Sequence, residues 1–186
     1  MMNNINHTPH NLIWVDLEMT GLNPDLDHIL EIAIVITDQN LNILADDFNL
    51  IIHQPKEILD LMNNTVRKIH SHNNLLDLVP KSNISLTTAE HKALEFIKTY
   101  VSKHNSPMCG NSICMDRRFL FRHMPTLEQY FHYRNLDVST VKNLGIYWFP
   151  EKIKDFSKQN NLHRAKDDIL QSIAELKFYR DHLFYK

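Results

Sequence analysis

The hydrophobic and polar positions in the first part of the chain predict three β-strands joined by short turns. Leu12–Met19 is rich in β-branched and aromatic residues, and the turn-forming run Thr20–Pro24 ends it. Ile29–Thr37 is almost entirely apolar, which is typical of a strand buried on both faces. After another turn, Ile43–Gln54 is predicted as the third strand. Strands that follow one another so closely predict an antiparallel meander.

Beyond these strands, the period of the apolar positions changes to that of helices. Apolar residues recur at helical spacing behind Thr87–Glu90, which has the sequence of a capping box. Short apolar runs at Pro107–Ile113 and Asn135–Val138 predict two further strands, each followed by a helical pattern. A last helix is predicted over residues 164–182. The sequence therefore predicts an α/β fold, with a mixed five-stranded sheet flanked by helices.

Composition indicates one domain rather than several. The chain has 186 residues, of which 43% are hydrophobic, enough to fill one core. Residues 1–10 are polar and lack the features of a signal peptide, so we expect a flexible leader and then one domain over residues 11–186. The apolar runs are far shorter than the ~20 residues that span a bilayer, so no membrane association is expected. Cys109 and Cys114 have no second pair to complete a zinc site, and two free thiols fit the cytoplasm.

The formal net charge of −2 limits the kinds of nucleic acid that the chain could handle. Proteins that bind long duplexes or long single strands neutralise many phosphates and are usually basic. If this chain binds a nucleic acid, we expect it to hold only a few phosphates in a local pocket.

The clearest candidate for chemistry lies in the first predicted strand. Asp16 and Glu18 are two positions apart, so both carboxylates point to one face, while Val15 and Leu17 point to the other face and the core. Two carboxylates this close resist ionisation unless a cation neutralises them. Ligands that offer only oxygen suit Mg²⁺ or Mn²⁺ better than zinc. The alternative is a pair of solvated acids on an edge strand, which the apolar flanking residues disfavour.

Further acidic residues lie where predicted helices begin. Asp116 follows the Pro107–Ile113 strand, at a position where Asp also serves as a helix cap. His163 precedes the last helix, and Asp167 and Asp168 lie just inside it. Successive residues point about 100° apart around a helix, so only one of the two aspartates can face a shared site. The spacing does not decide which one, and in a chain with 12 histidines His163 alone could be a surface residue.

In this order, these residues resemble the DEDDh superfamily of 3′→5′ exonucleases. The pattern is Asp-x-Glu on the first strand, Asp at a strand-to-helix junction, and His-x-Ala-x-Asp-Asp at the last helix. Within the superfamily, the chain is most similar to the oligoribonuclease family. The segments that carry this similarity are Asn11–Leu22 (NLIWVDLEMTGL), Cys109–Leu120 (CGNSICMDRRFL) and Tyr130–Thr140 (YFHYRNLDVST).

The resemblance implies an RNase H-like fold. It also implies an enzyme that degrades short single-stranded RNA from its 3′ end to 5′-mononucleotides. It implies that Asp16, Glu18, Asp116 and Asp168 bind two divalent ions, Mg²⁺ or Mn²⁺, in a two-metal mechanism. It selects Asp168 over its neighbour and makes His163 the general base. The substrate-binding residues that it implies are Leu22 as a wedge against the terminal base, His70 in the same pocket, and Ser112, Tyr133, Arg134 and Ser139 around the far end of the substrate.

One position departs from the family pattern. Relatives often carry a tryptophan just upstream of the histidine that corresponds to His70, and this chain has Thr65 there. The departure puts one base-stacking surface in doubt but leaves the chemistry unaffected.

The segment Tyr130–Arg134 bears on assembly, because it places three aromatic residues and a cation in a polar connection. Tyr and Arg are enriched in interface cores. The resemblance implies a homodimer in which Tyr133 reaches into the active site of the partner subunit. The alternative is an aromatic cluster that faces the core of its own subunit.

Two other functions stay open on the sequence. The first is a related exonuclease that trims the 3′ ends of longer RNA or DNA, which the absence of an extended basic run disfavours. The second is a non-catalytic nucleotide-binding domain of the same fold, which would have no need for all five catalytic positions.

Overall fold

A five-stranded sheet forms the centre of the molecule. The structure, a computed structural model, describes residues 10–154, 156 and 163–184, so the predicted leader lies outside the described residues except for His10. The strands are β1 (Leu12–Met19), β2 (Ile29–Thr37), β3 (Ile43–Ile51), β4 (Met108–Gly110) and β5 (Asn135–Asp137). Their order is β3-β2-β1-β4-β5, with β1, β2 and β3 antiparallel and β4 and β5 parallel to β1. The predicted meander and mixed sheet are confirmed.

Helices connect and cover the strands. The last predicted helix forms over Ala165–Tyr179 and is followed by a π-helical turn at Arg180–Phe184, and a 3₁₀ turn forms at Val79–Lys81. No helix within the described ranges is long and apolar enough to cross a membrane. The helices are α1 (Lys56–Asp60), α2 (Asn64–His72), α3 (Leu75–Leu78), α4 (Leu86–Lys98), α5 (Cys114–His123), α6 (Pro125–Glu128), α7 (Val138–Trp148), α8 (Pro150–Ile153) and α9 (Ala165–Tyr179).

The alternation along β1 decides which face of the sheet carries the acidic residues. Val15 and Leu17 lie in the hydrophobic core that also contains buried residues of α4 and α5. Trp14 points to the opposite face and packs in a second core with residues of α9. Because side chains alternate along a strand, Asp16 and Glu18 share the face of Trp14 and of α9. The predicted orientation of the pair is therefore confirmed.

The predicted capping box at Thr87–Glu90 is wrong, although the helix behind it is present. α4 begins at Leu86, and Ser85 caps it by accepting a hydrogen bond from the Thr88 backbone N–H at 3.1 Å. Glu90 instead accepts hydrogen bonds from two backbone N–H groups of the first turn of α6, at 2.7 and 3.0 Å. A contact 36 residues away in sequence therefore takes the side chain that the local pattern assigned to the cap.

Candidate active site

Three carboxylates converge in a cleft between β1 and α9. One ligand oxygen from each of Asp16, Glu18 and Asp168 lies within 4.8 Å of the others. The cleft has a volume of about 260 Å³, and His163 also lines it. Asp167 is absent from this group within the described part of the chain, so the structure brings Asp168 to the site and leaves its neighbour outside.

Asp116 is bound to the strand that carries two of these carboxylates. It is buried in the first turn of α5, and its Oδ1 accepts a hydrogen bond from the Leu17 backbone N–H at 3.0 Å. Leu17 lies between Asp16 and Glu18, so the contact fixes Asp116 against the strand that carries them. Asp116 is not the N-cap of α5, which is Ile113. Asp116 is not one of the three residues whose oxygens lie within 4.8 Å of one another, but its charge adds to burial in raising the pKa of Asp16 and of Glu18.

The carboxylates hold protons strongly when no cation is bound. Burial, followed by the charges of Asp116, Glu18 and Asp168, raises the pKa of Asp16 well above its usual range. Burial, followed by the charge of Asp168 and then those of other acids, raises the pKa of Glu18 to about 9. Burial also raises the pKa of Asp116 to about 7, against the opposing effect of the Leu17 N–H. Such a cluster accepts a cation in place of its protons.

A fifth carboxylate, Glu31, adjoins the cluster but has a cation of its own. It is completely buried on β2, directly opposite Glu18. The guanidinium of Arg164 binds it with Nε–Oε2 at 3.0 Å and Nη2–Oε1 at 2.6 Å, a bidentate arrangement. Sequence reasoning missed this pair, although a single Glu within the apolar run Ile29–Thr37 was a usable signal for it.

Two histidines approach the carboxylates from the side of α2 and from the start of α9. His70 is buried, and its Nε2 donates to the Met19 carbonyl at 2.9 Å. Because a carbonyl only accepts, Nε2 carries the proton, and the other ring nitrogen, Nδ1, lies 3.8 Å from Glu18 Oε2. Burial lowers the pKa of His70, which favours this neutral form. His163 lines the same cleft immediately before α9.

Comparison with known proteins agrees with this site and fold. A family model described as "Exonuclease" matches residues 13–176 of the chain. The oligoribonuclease of Pseudomonas aeruginosa is 53% identical over 174 residues, which cover 94% of this chain and 96% of that protein. The oligoribonuclease of Thiobacillus denitrificans is 51% identical, with 94% and 95% covered. The chain belongs to the oligoribonuclease family of exonucleases.

The fold of this exonuclease is also similar to that of solved structures. The zinc-bound crystal structure of an E. coli exonuclease I complex with single-stranded DNA has a TM-score of 0.72 at 14% identity. The matched part covers 95% of this chain but only 41% of that one, so the likeness concerns the fold. The RNase H-like arrangement expected from the sequence is confirmed.

In this exonuclease, Leu22 projects from a loop that polar contacts hold in shape. The Asp27 carboxylate accepts hydrogen bonds from Thr20 Oγ1 at 3.0 Å and from the Asn23 backbone N–H at 2.9 Å. A Cβ at Gly21 would overlap that carboxylate, so a larger residue there would have to displace Asp27 from these hydrogen bonds. Leu22 lines the cleft and is 67% exposed, a position suited to contact with a substrate base.

The replacement of the family's tryptophan by Thr65 changes the wall of the same cleft. Thr65 is exposed near the start of α2 and is not among the described residues that line the cleft. The α2 wall is formed by the aliphatic residues Val66 and Ile69, together with His70. A base on this wall would therefore contact aliphatic side chains and the imidazole of His70, and not the indole ring of a tryptophan.

Ser112 and Ser139 lie together, at the end of β4 and the start of α7. Their hydroxyl oxygens are 3.1 Å apart, and the Ser112 backbone N–H donates to Ser139 Oγ at 3.0 Å. Ser139 Oγ in turn donates to Asn111 Oδ1 at 3.0 Å. The Asn111 amide is fixed by donating to Ser172 Oγ and to Glu175 Oε2, at 2.8 and 2.9 Å. Asn111 was not predicted as a site residue, and the network that orients it spans elements distant in sequence.

The aromatic cluster predicted at Tyr130–Arg134 is divided between core and surface. Tyr130 and Phe131 are buried in the core, as the alternative reading required for a cluster within one subunit. Tyr133 is 74% exposed. The centroid of its ring lies 4.3 Å from that of the His132 ring and 5.4 Å from Cζ of the Arg134 guanidinium. Within the described residues, neither Tyr133 nor Arg134 lines the cleft of its own subunit.

Proposed function

We propose that this chain is a metal-dependent 3′→5′ exoribonuclease that degrades short oligoribonucleotides, down to dinucleotides, to 5′-mononucleotides. The observation that carries the proposal is the convergence of Asp16, Glu18 and Asp168 in one small cleft with His163. The similarity to the oligoribonucleases of Pseudomonas aeruginosa and Thiobacillus denitrificans supports it. A cleft of about 260 Å³ is suited to one terminal nucleotide.

The residues present fit two divalent cations, which we propose to be Mg²⁺ or Mn²⁺. Asp16, Glu18, Asp116 and Asp168 offer only carboxylate oxygens, the ligands that these ions prefer. Burial, followed by the charges of the neighbouring acids, raises the pKa of Asp16 and of Glu18, and a bound cation would favour their ionised forms. When bound, such ions lower the pKa of water and stabilise the charge on the leaving oxygen.

His163 is the proposed general base. A histidine near neutral pH can remove a proton from the attacking water. The water oxygen then bonds to the last phosphorus, and the bond between that phosphorus and the 3′ oxygen of the preceding nucleotide breaks. A 5′-mononucleotide leaves, and the shortened chain keeps a 3′-hydroxyl once its oxygen takes up a proton.

Residues at the two ends of the site are proposed to select the substrate, one set at its terminal base and the other at its far end. Leu22 and His70 line the cleft beside the carboxylates and would contact the terminal base. Ser112 and Ser139 present hydroxyl groups at the end of β4, where the far end of a short substrate would lie. A substrate of a few nucleotides carries few phosphates, which agrees with the net charge of −2.

The active form is proposed to be a cytoplasmic homodimer of one exonuclease domain, residues 11–186. Tyr133 and Arg134 are exposed outside the cleft of their own subunit, so a second subunit is the natural way to bring them to a substrate. Such a wall would close the site after a few nucleotides. The thiols of Cys109 and Cys114 are free, which is compatible with the proposed compartment.

Cleavage of labelled substrates of two lengths tests the proposed function. With Mn²⁺, the protein should release mononucleotides from a 5′-labelled diribonucleotide much faster than it shortens a 20-mer, and EDTA should stop both reactions. Equal or faster shortening of the 20-mer would indicate a trimming exonuclease instead. No cleavage of either substrate with Mn²⁺ or Mg²⁺ would indicate a non-catalytic nucleotide-binding domain.

A further inference from the structure

The backbone of His163 has a conformation that needs support from its surroundings. Its φ angle is 47°, in the left-handed region that residues with a Cβ seldom adopt. It lies immediately before α9, whose N-cap is Arg164 and has no side-chain capping bond. Neighbouring groups must therefore hold the peptide group that joins His163 to Arg164.

The first support comes from Asn73, the C-cap residue of α2. Its Nδ2 donates a hydrogen bond to the His163 carbonyl oxygen. Its Oδ1 accepts a hydrogen bond from the Leu75 backbone N–H at 3.0 Å. Since the Asn73 amide nitrogen donates to His163 and its oxygen accepts from Leu75, the orientation of the amide group is fixed. Asn73 therefore ties His163 to the helix that also carries His70.

The second support acts on the next residue, Arg164. Its guanidinium binds both oxygens of buried Glu31, and the Ala165 N–H approaches Glu31 Oε2 at 3.4 Å. Asn49 Nδ2 donates to Glu31 Oε1 at 3.0 Å, which holds the carboxylate from the side of β3. The start of α9 is thus anchored to the two strands β2 and β3.

We propose that Asn73 and Arg164 are positioning residues that hold the His163 ring towards the carboxylates of the cleft. Asn73 fixes the carbonyl of the His163–Arg164 peptide group, and Arg164 fixes the residue that follows it. A base held within a narrow range of positions is effective because small displacements slow proton transfer strongly. The inference rests on the proposed function, in which His163 is the general base.

Asn73 is the better residue for a test, because the charge of Arg164 also lowers the pKa of Glu18. Asn73→Asp keeps an oxygen for the Leu75 N–H but cannot donate to the His163 carbonyl. Asn74→Asp is a matched control, since it makes the same change at an exposed neighbour whose side chain makes no capping bond. Asn73→Ser also keeps an acceptor for the turn, adds no charge and is too short to reach His163.

The measurement is single-turnover cleavage of a diribonucleotide at saturating Mn²⁺, together with Mn²⁺ affinity by calorimetry and the melting temperature. We expect Asn73→Asp and Asn73→Ser to slow the chemical step by about tenfold at pH 7. This is less than the ~10²-fold loss of rate that a 1 Å displacement of a reacting group can cause. KM and the Mn²⁺ affinity should stay unchanged, and the deficit should shrink at high pH, where hydroxide replaces the base. Asn74→Asp should react like the parent protein.

A double-mutant cycle with His163→Ala separates the inference from the function on which it rests. If Asn73 acts through His163, adding Asn73→Asp to His163→Ala causes no further loss. A further tenfold loss in that background, or full activity of both Asn73 variants while His163→Ala is impaired, overturns the inference and leaves the proposed function standing. Full activity of His163→Ala refutes the assigned base and the inference with it. Lost Mn²⁺ binding in Asn73→Ser shows a structural role and also overturns the inference.

Discussion

Glu18 and Glu31 are direct cross-strand neighbours in the antiparallel pair of β1 and β2. Like charges at such positions repel each other. Arg164 neutralises Glu31 through a bidentate ion pair. For Glu18, burial and the neighbouring acids raise the pKa to about 9. The guanidinium thus compensates the charge of Glu31, which organises the start of α9, whereas Glu18 holds a proton that a bound metal ion would replace.

Without metal, the protein should lose stability as the pH rises from 7 to 9. The pKa of Glu18 is about 9 in the folded state, whereas an unfolded glutamate has already released its proton near pH ~4.3. Over this window the folded state binds a proton that the unfolded state does not, so the free energy of unfolding falls as the pH rises towards about 9, where the folded state loses the proton too. Melting temperatures in EDTA should decline over this window, and Mn²⁺ at pH 9 should restore them.

Glu18→Gln provides the control for this pH dependence, because it removes the titrating group. The lowered pKa of His70 affects stability at lower pH, as its imidazole is neutral in both states above about pH 7. The decline between pH 7 and 9 should be smaller in Glu18→Gln than in the parent protein. Parallel curves for the two proteins would show that Glu18 is ionised in the metal-free fold.

Asp16→Asn and Asp168→Asn should each abolish turnover while the protein stays folded. Both residues belong to the converging carboxylates, and removing one negative charge from a repelling cluster should leave stability unchanged or raise it. Asp167→Asn is the matched control, and it should retain activity because Asp167 lies outside the group. Steady-state rates with Mg²⁺ and thermal unfolding measure both effects. Near-normal turnover in either cleft variant would contradict the two-metal assignment.

His163→Ala should lower the rate at pH 7 by about 10²-fold or more, with little change in KM. A general base acts on the transition state and adds little to the binding of the substrate. The deficit should narrow at high pH, where hydroxide replaces the missing base. Calorimetry with Mn²⁺ checks the assignment, since a variant that has simply lost metal affinity would give His163 a structural role in the site.

Arg164→Met should destabilise the fold by about 3 kcal/mol, the lower end of the range for removing one partner from a buried ion pair, because the Arg164 side chain is 24% exposed. The cause is Glu31, which is completely buried and would lose its cation. Lys166→Met is the matched control, because the Lys166–Asp46 pair at 3.2 Å is largely exposed and such pairs contribute at most ~1 kcal/mol. Denaturant unfolding of the two variants measures the difference, and equal effects would show that the buried pair has no special weight.

The sequence predicted the elements and catalytic positions that depend on local patterns. Alternation along β1 was enough to place Asp16 and Glu18 on one face, and that orientation is confirmed. The choice of Asp168 over Asp167 came from the family resemblance, because spacing around the helix left it open. The structure agrees with that choice of neighbour, while the roles of the site residues stay predictions.

The contacts that organise the site could not be predicted in the same way. The Arg164–Glu31 pair joins residues 133 positions apart, and the Asn73–His163 bond joins residues 90 positions apart. No local period encodes either contact, since both depend on where the start of α9 lies relative to β2 and to the end of α2. The burial of Tyr130 similarly follows from the position of its segment over the core rather than from its composition.

Tyr133 differs from the other predicted substrate residues in its position. Its side chain is 74% exposed, whereas Leu22 and His70 line the cleft. If Tyr133 contributes to catalysis, the site that it completes is expected to belong to a second subunit. Tyr and Arg are enriched among the hot-spot residues of protein interfaces, and Tyr133 and Arg134 lie side by side on the surface.

Mixing two inactive variants tests whether the site is shared between subunits. Asp16→Asn and Tyr133→Ala should each be nearly inactive as homodimers. A mixed dimer contains one site in which an intact Asp16 meets an intact Tyr133 from the partner, because each variant supplies what the other lacks. After complete exchange of equal amounts, half of the dimers are mixed, so activity should return to about a quarter of the parent value. Native mass spectrometry verifies the exchange. If activity does not return although mixed dimers have formed, Tyr133 acts within its own subunit and the shared site is refuted.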